Sequence, residues 1–309
     1  MNANLKILQT DSNQNTEKNS NLLTMNNTSA LEILDALKIG EALVAQGKLK
    51  PSDLDKILSL QKEKKLLFGE AAIQLGLVSK IDIESVLAQQ FNYPYVREID
   101  SAISKQLLAA HTPFCDEVEG LRSLRGQLMT RWFNQGNKTL AVTSVNSLEN
   151  GHLLAANLAI VFSQLDKKTL LIDTNLRQAN QHLLFGIDSK LGLTNILGNQ
   201  QGCYAMTKLK SLPNLAVLSA GTQVPNPQEL LSLASFSSLL DDLKKVYDII
   251  IIDTAPLSLG SDLLAVVPVA GAAVIVVKKG VSQASDVQTL LAQINTTGAN
   301  VLGSVFQDS

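Results

Sequence analysis

Thr139-Leu140-Ala141-Val142-Thr143-Ser144, then Val145-Asn146-Ser147-Leu148-Glu149-Asn150-Gly151-His152-Leu153-Leu154, then Ala155-Ala156-Asn157-Leu158-Ala159: an apolar run of strand length, a polar loop and a small-residue helix follow one another without a break. A strand that feeds a helix through a short loop opens a parallel crossover unit. Three further runs continue the pattern. Thr169-Leu170-Leu171-Ile172-Asp173 and Asp248-Ile249-Ile250-Ile251-Ile252-Asp253 each end in an acid, and Ala272-Ala273-Val274-Ile275-Val276-Val277 shows no polar alternation. Runs that are apolar on both faces belong inside a sheet covered by helices on both sides. Their alternation with helical segments predicts an α/β architecture with a doubly wound, mostly parallel sheet.

The composition agrees. A length of 309 residues suffices for one large domain with its own core and a smaller one beside it. Hydrophobic residues make up 45% of the chain and aromatic ones only 4%, as in soluble proteins with aliphatic helices packed on a sheet. A formal net charge of -2 provides no basic footprint, so nucleic acid is excluded as a partner. Cys115 and Cys203 lie outside any metal-ligand spacing and read as reduced thiols, which points to the cytoplasm and to no bound metal. Residues 1–30, rich in Asn, Ser, Thr and Gln, read as a disordered tail. No stretch approaches the roughly 20 apolar residues that span a bilayer, so membrane contact is expected only through a partner.

Residues 31–98 form a small helical domain built by duplication. Superposing the segment that starts at Lys38 on the one that starts at Leu67 aligns Gly40 with Gly69, Gly47 with Gly76, Leu58 with Leu87 and Gln61 with Gln90. Each copy reads as a helix start, a Gly-containing turn, an Asp-containing cap and a second amphipathic helix. Two hairpins that pack on each other are expected. The glycines, the closing Gln and the following Phe91-Asn92-Tyr93-Pro94-Tyr95-Val96 resemble the N-terminal domain of type II secretion and pilus ATPases. Some of those domains bind cyclic di-GMP with an Arg at the start of each copy, where a guanidinium fork suits phosphate or guanine. Here Lys38 and Leu67 stand at those starts, so any such site falls on Lys38, Gly40 and Gly69.

A connector over residues 99–116 leads into the large domain, residues 117–309. Its first helix carries Glu119, Arg122 and Arg125 at steps of three, which places them on one face. The bare pattern is that of a solvated ion-pair face.

From here to the end, the chain resembles the bacterial tyrosine kinases of exopolysaccharide synthesis, a P-loop NTPase-like family. Their Glu-x-x-Arg-x-x-Arg helix joins subunits into a ring and is matched at Glu119, Arg122 and Arg125. Leu171-Ile172-Asp173-Thr174-Asn175-Leu176-Arg177 resembles their Asp-x-Asp-x-Arg element, and His182-Leu183-Leu184-Phe185-Gly186 follows it. Ala220-Gly221, Pro225-Asn226-Pro227 and Glu229-Leu230-Leu231 are similar to a later loop and helix start. Ile251-Ile252-Asp253-Thr254-Ala255-Pro256 matches the Walker B strand. Together with the duplicated domain, the likeness is to the EpsG-type subgroup linked to chain-length determination. It implies an ATP- and magnesium-dependent kinase, oligomers, and a membrane-anchored chain-length regulator as partner.

The chain departs from that family where the chemistry lies. A phosphate loop needs glycines whose N–H groups wrap the phosphates, a cation to neutralise them and a hydroxyl for Mg²⁺. In the loop Glu149-Asn150-Gly151-His152, Gly151 falls where the basic residue belongs and His152 where the hydroxyl belongs, while Leu148 and Asn150 replace glycines. A one-residue slip would bring His152 to the cation position, where a pKa near 6.5 makes a weak cation. Asn175 replaces the second acid of the Asp-x-Asp-x-Arg element, of which Asp173 and Arg177 remain. Asp173 and Asp253 read as caps or fold-supporting acids. The relatives also end in a tyrosine-rich tail, whereas the tyrosines here are Tyr93, Tyr95, Tyr204 and Tyr247. The expectation is a pseudo-kinase that works by binding partners, with an active kinase or a cyclic di-GMP-responsive subunit as the rival readings.

Overall fold

The computed structural model describes residues 38–90, 102–188, 190–198 and 206–308. The N-terminal tail, the Phe91–Val96 motif and Cys203 lie outside the described residues. The chain divides into two compact units, residues 1–92 and 93–309.

In the first unit, α1 (residues 38–45), α2 (Pro51–Lys64), α3 (Phe68–Gln74) and α4 (Lys80–Gln90) follow the duplication. Its core pairs equivalent positions: Leu43 with Ala72, Leu49 with Val78 and Ile57 with Val86 are all buried in one cluster. The turns between α1 and α2 and between α3 and α4 contain Gly47 at φ 70° and Gly76 at φ 65°, a region that favours glycine. Asp53 and Asp82 sit one turn inside the second helix of each copy and accept from the N–H of Lys50 (3.3 Å) and Ser79 (2.9 Å). This is the acidic half of a capping box.

The second unit holds a seven-stranded sheet in the order β3-β4-β2-β5-β1-β6-β7. The strands are β1 (Thr139–Ser144), β2 (Thr169–Asp173), β3 (Met206–Leu209), β4 (Leu212–Leu218), β5 (Ile249–Asp253), β6 (Ala272–Lys278) and β7 (Asn300–Gln307). Only the β3–β4 pair is antiparallel. The expected doubly wound sheet is therefore present, with an antiparallel edge added. One face is covered by α5 (Leu108–His111), α6 (Asp116–Arg131) and α7 (Gly151–Ser163), whose apolar side chains join Leu140, Val142, Leu171 and Ile251. Short helices α8 (Gln181–Leu184), α9 (Leu193–Leu197) and α10 (Pro227–Leu231) follow in the chain. The other face is covered by α11 (Ala234–Val246), α12 (Leu263–Ala270) and α13 (Ala284–Thr296). α7 is buried along almost its whole length, which is why its sequence is Ala-rich and apolar all round.

The stretch expected to connect the domains belongs to this core from residue 103 onward. Ile103, Leu107, Ala109 and Ala110 are buried, and the Ser104 N–H donates to the Leu184 carbonyl at 2.8 Å. Of these, Ala109 and Ala110 lie in α5, whose four residues carry too little periodicity to announce themselves.

Candidate functional site

The ends of β1, β2 and β5 lie side by side, because β5 is inserted between β2 and β1. Crevices beyond the carboxyl ends of such strands are where open α/β sheets place their ligands.

The β1–α7 loop is organised by its own side chains. Asn146 accepts from the Leu148 N–H at 3.0 Å and starts a 3-10 turn, Ser147–Glu149. Glu149 is completely buried. Its carboxylate accepts from the N–H groups of Val145 (2.6 Å) and Asn146 (3.0 Å), from the Asn146 carboxamide (3.4 Å), and from the Ser282 hydroxyl beyond β6. Asn150 takes a left-handed conformation at φ 53°, which its short polar side chain tolerates, and turns the chain into α7. Gly151 opens the helix against Ser144, whose Oγ would lie 3.3 Å from an added Cβ. Burial lowers the pKa of the next residue, His152, so the imidazole is neutral at physiological pH.

Asp173 and Asp253 end β2 and β5 as direct register partners, and both are buried. Asp173 accepts three backbone N–H groups, from Asn175 (3.1 Å), Asn180 (3.2 Å) and Gln181 (3.1 Å). Burial nevertheless pushes its pKa up to about 7. Burial, and then the charge of Asp173, pushes Asp253 well above the usual carboxylate range. Asp253 has a single side-chain donor, the Gln181 carboxamide at 2.7 Å, and its Oδ1 has no partner. The same nitrogen donates to the His152 carbonyl at 3.0 Å. A buried pair of this kind holds at least one proton at neutral pH.

Asn175 completes a local turn by accepting from the Gln178 N–H at 3.0 Å. Arg177 points away from the two acids. It grips Asp262 in a bidentate fork, at 2.6 Å and 2.9 Å, over Gly260, where an added Cβ would lie 2.8 Å from Nε. Gln181, Asp262 and Ser282 thus belong to this region without having been signalled by the sequence. Each is a polar residue whose partner lies on a distant element.

The helix trio sits on α6 as the spacing required, but its three members differ. Glu119 is exposed and pairs with Arg122 at 2.9 Å. The Arg122 guanidinium also donates to the Pro113 carbonyl and stacks over Phe114. Arg125 donates to the Val161 carbonyl in the last turn of α7, where a cation is favoured. Both arginines therefore tie α6 into its own chain. In the first unit, Gly40 and Gly69 make close helix contacts: an added Cβ would lie 2.7 Å from Leu54 Cδ2 and 3.0 Å from Ile83 Cγ2. Lys38 is on the exposed side of α1. Among the described residues no helix is long and apolar enough to cross a membrane.

Comparison with known proteins places this geometry in a family. An AAA-domain family model matches residues 153–302. CapB of Staphylococcus aureus, named as a tyrosine-protein kinase, is 31% identical over 188 residues, which are 61% of this chain and 82% of CapB. The tyrosine-protein kinase Wzc of Salmonella typhi is 32% identical over 201 residues, 65% of this chain but only 28% of that longer protein. The solved kinase domain of the Escherichia coli tyrosine kinase ETK superposes with a TM-score of 0.62 at 28% identity, covering 65% of this chain and 79% of that domain. With CapB matched over four fifths of its length and the parallel sheet shared with the ETK kinase domain, the chain belongs to the bacterial tyrosine-protein kinase family.

Proposed function

We propose that this chain is a non-catalytic member of the family, a pseudo-kinase of exopolysaccharide synthesis that acts by binding partners. The observation that carries this reading is the β1–α7 loop. Residues 145–154 include no Lys or Arg, and their one charged side chain, Glu149, is a carboxylate buried among neutral donors. ATP with magnesium, which the family resemblance implies, does not fit these residues. A triphosphate would meet a buried negative charge, a neutral His152 and no hydroxyl in the first two positions of α7. Arg177, the remaining cation of the β2 loop, is already held by Asp262.

The partner is a membrane-anchored chain-length regulator, reached from the cytoplasm, and the chain works in a homo- or hetero-oligomer. Support for assembly comes from α6, whose exposed Glu119 stands beside two fixed arginines in the pattern that joins subunits in the resembling kinases.

The test is a rate assay with labelled ATP and Mg²⁺ on the natural chain and on the combined Asn150→Gly, Gly151→Lys, His152→Ser, Asn175→Asp variant. Removing one preorganised charge partner costs about 3–4 kcal/mol in a transition state, so the natural chain is expected to show no turnover above background. Magnesium-dependent turnover by the natural chain at rates typical of its active relatives would sink the proposal.

A further inference from the structure

Two carboxyl groups facing each other at the ends of neighbouring strands ordinarily call for a cation. In this chain one residue, Gln181, meets them both, Asp253 with its neutral side chain and Asp173 with its backbone N–H. Gln181 is completely buried, and its Nε2 carries two hydrogens, one directed to Asp253 Oδ2 at 2.7 Å and one to the His152 carbonyl at 3.0 Å. Its backbone N–H goes to Asp173 Oδ2 at 3.1 Å. One residue therefore touches both acids and the first turn of α7. The His152 carbonyl can only accept, so the carboxamide orientation follows from the contacts: turned over, its oxygen would face that carbonyl oxygen. The cost of the arrangement is visible in the buried Gln181 Oε1, which has no partner.

We propose that Gln181 closes this site from within, its backbone N–H holding Asp173 while its carboxamide stands in for a cation against Asp253 and fastens the end of β5 to the first turn of α7 in a single arrangement. The proposal rests on the reading of the chain as non-catalytic and names the device that makes the loop independent of nucleotide. An apolar residue at position 181 would leave the Asp253 carboxyl and the His152 carbonyl buried without this donor, whereas an ammonium group would serve both. The loop is also tied down on its far side through Glu149 and Ser282, so loss of the Gln181 link frees one end of the loop and leaves the other held.

Hydrogen exchange on the full chain tests this, read in peptides covering residues 145–153 and 174–184, for the natural protein, Gln181→Leu and Gln181→Lys, each with and without Mg²⁺ and ATP. Gln181→Leu is expected to exchange about tenfold faster in both peptides, the change produced by about 1.4 kcal/mol of lost local protection. Gln181→Lys should keep the natural rate, and the natural protein should not respond to nucleotide. Unchanged exchange in Gln181→Leu, or equal loss of protection in Gln181→Leu and Gln181→Lys, overturns the proposal and leaves the non-catalytic reading standing. Slower exchange of the natural protein on adding Mg²⁺ and ATP overturns the claim that nucleotide does not fit the loop, and with it the independence from nucleotide assigned to Gln181. Should Gln181→Leu fail to fold, the double variant with Asp253→Asn decides: it folds if the donor was needed for the acid, and its failure as well refutes the role assigned to Gln181.

Discussion

Asp253→Asn should stabilise this protein at and above neutral pH and flatten the dependence of its stability on pH. Both strand-end acids bind protons more tightly in the fold than in the unfolded chain, where each titrates near 3.8. Their contribution is thus fully present below about pH 4 and is lost as pH rises, through about 7 for Asp173 and through a range likewise raised above the usual carboxylate one for Asp253. For Asp173 the rise from 3.8 to about 7 corresponds to a loss on the order of 4 kcal/mol by pH 8, at about 1.36 kcal/mol per unit. Each extra proton held by the fold tilts the stability curve downward by about 1.4 kcal/mol per pH unit. Asparagine at 253 cannot ionise, still accepts from Gln181, and removes the charge next to Asp173. The variant should be more stable than the natural chain at pH 8 and melt at a higher temperature. Its stability should fall less steeply above pH 4 than that of the natural protein, because one of the two groups that hold an extra proton in the fold is gone. Urea unfolding at a series of pH values measures both quantities. A variant less stable than the natural chain at pH 8, with an unchanged slope, would refute the shared proton and point to a bound cation instead.

Further outcomes follow from the same geometry. Arg125→Glu should lower Tm, because a charge-assisted bond to the Val161 carbonyl is worth about 1.5–3 kcal/mol and the new charge faces the C-terminal end of α7. Glu119→Lys, at an exposed position, should leave stability within about 0.5 kcal/mol. Light scattering then shows whether Glu119→Lys alters the assembly, and an unchanged mass together with unchanged regulator binding would return this face to a solvated surface. Gly40→Ala should destabilise the first unit by about 1–3 kcal/mol, because its Cβ would lie 2.7 Å from Leu54, and Gly69→Ala should cost less, because the contact with Ile83 is longer. Hydrogen exchange in residues 38–90 measures both, and equal, negligible effects would remove the packing explanation for these glycines.

The parallel core was legible because β1, β2, β5 and β6 are short apolar runs buried on both faces, and a loop and helix of the right length follow β1. The edges were not. β3, Met206–Leu209, alternates between exposed and half-buried positions, and β7 is interrupted by Gly303, so neither has the apolar density of an interior strand. The duplication in the first unit was legible down to its turns, since Gly47 and Gly76 mark equivalent positive-φ positions. At the candidate site the sequence located Asp173, Asp253 and the β1–α7 loop but not what they touch. Arg177 lies in the Asp-x-Asp-x-Arg-like element yet turns to Asp262, a residue far along the chain. Gln181 reads as an ordinary polar residue in a short helix, and only the pairing of β2 with β5 buries it against an acid. Long-range polar contacts carry no periodicity, so sequence patterning does not reveal them.

The central claim is that the β1–α7 loop does not hold ATP. Calorimetric titration of the full chain with ATP and Mg²⁺ into the millimolar range, with ADP formation followed in the same sample, tests it most directly. No saturable heat and no ADP above background are expected. A one-site isotherm that requires Mg²⁺, together with steady ADP release, would contradict the account.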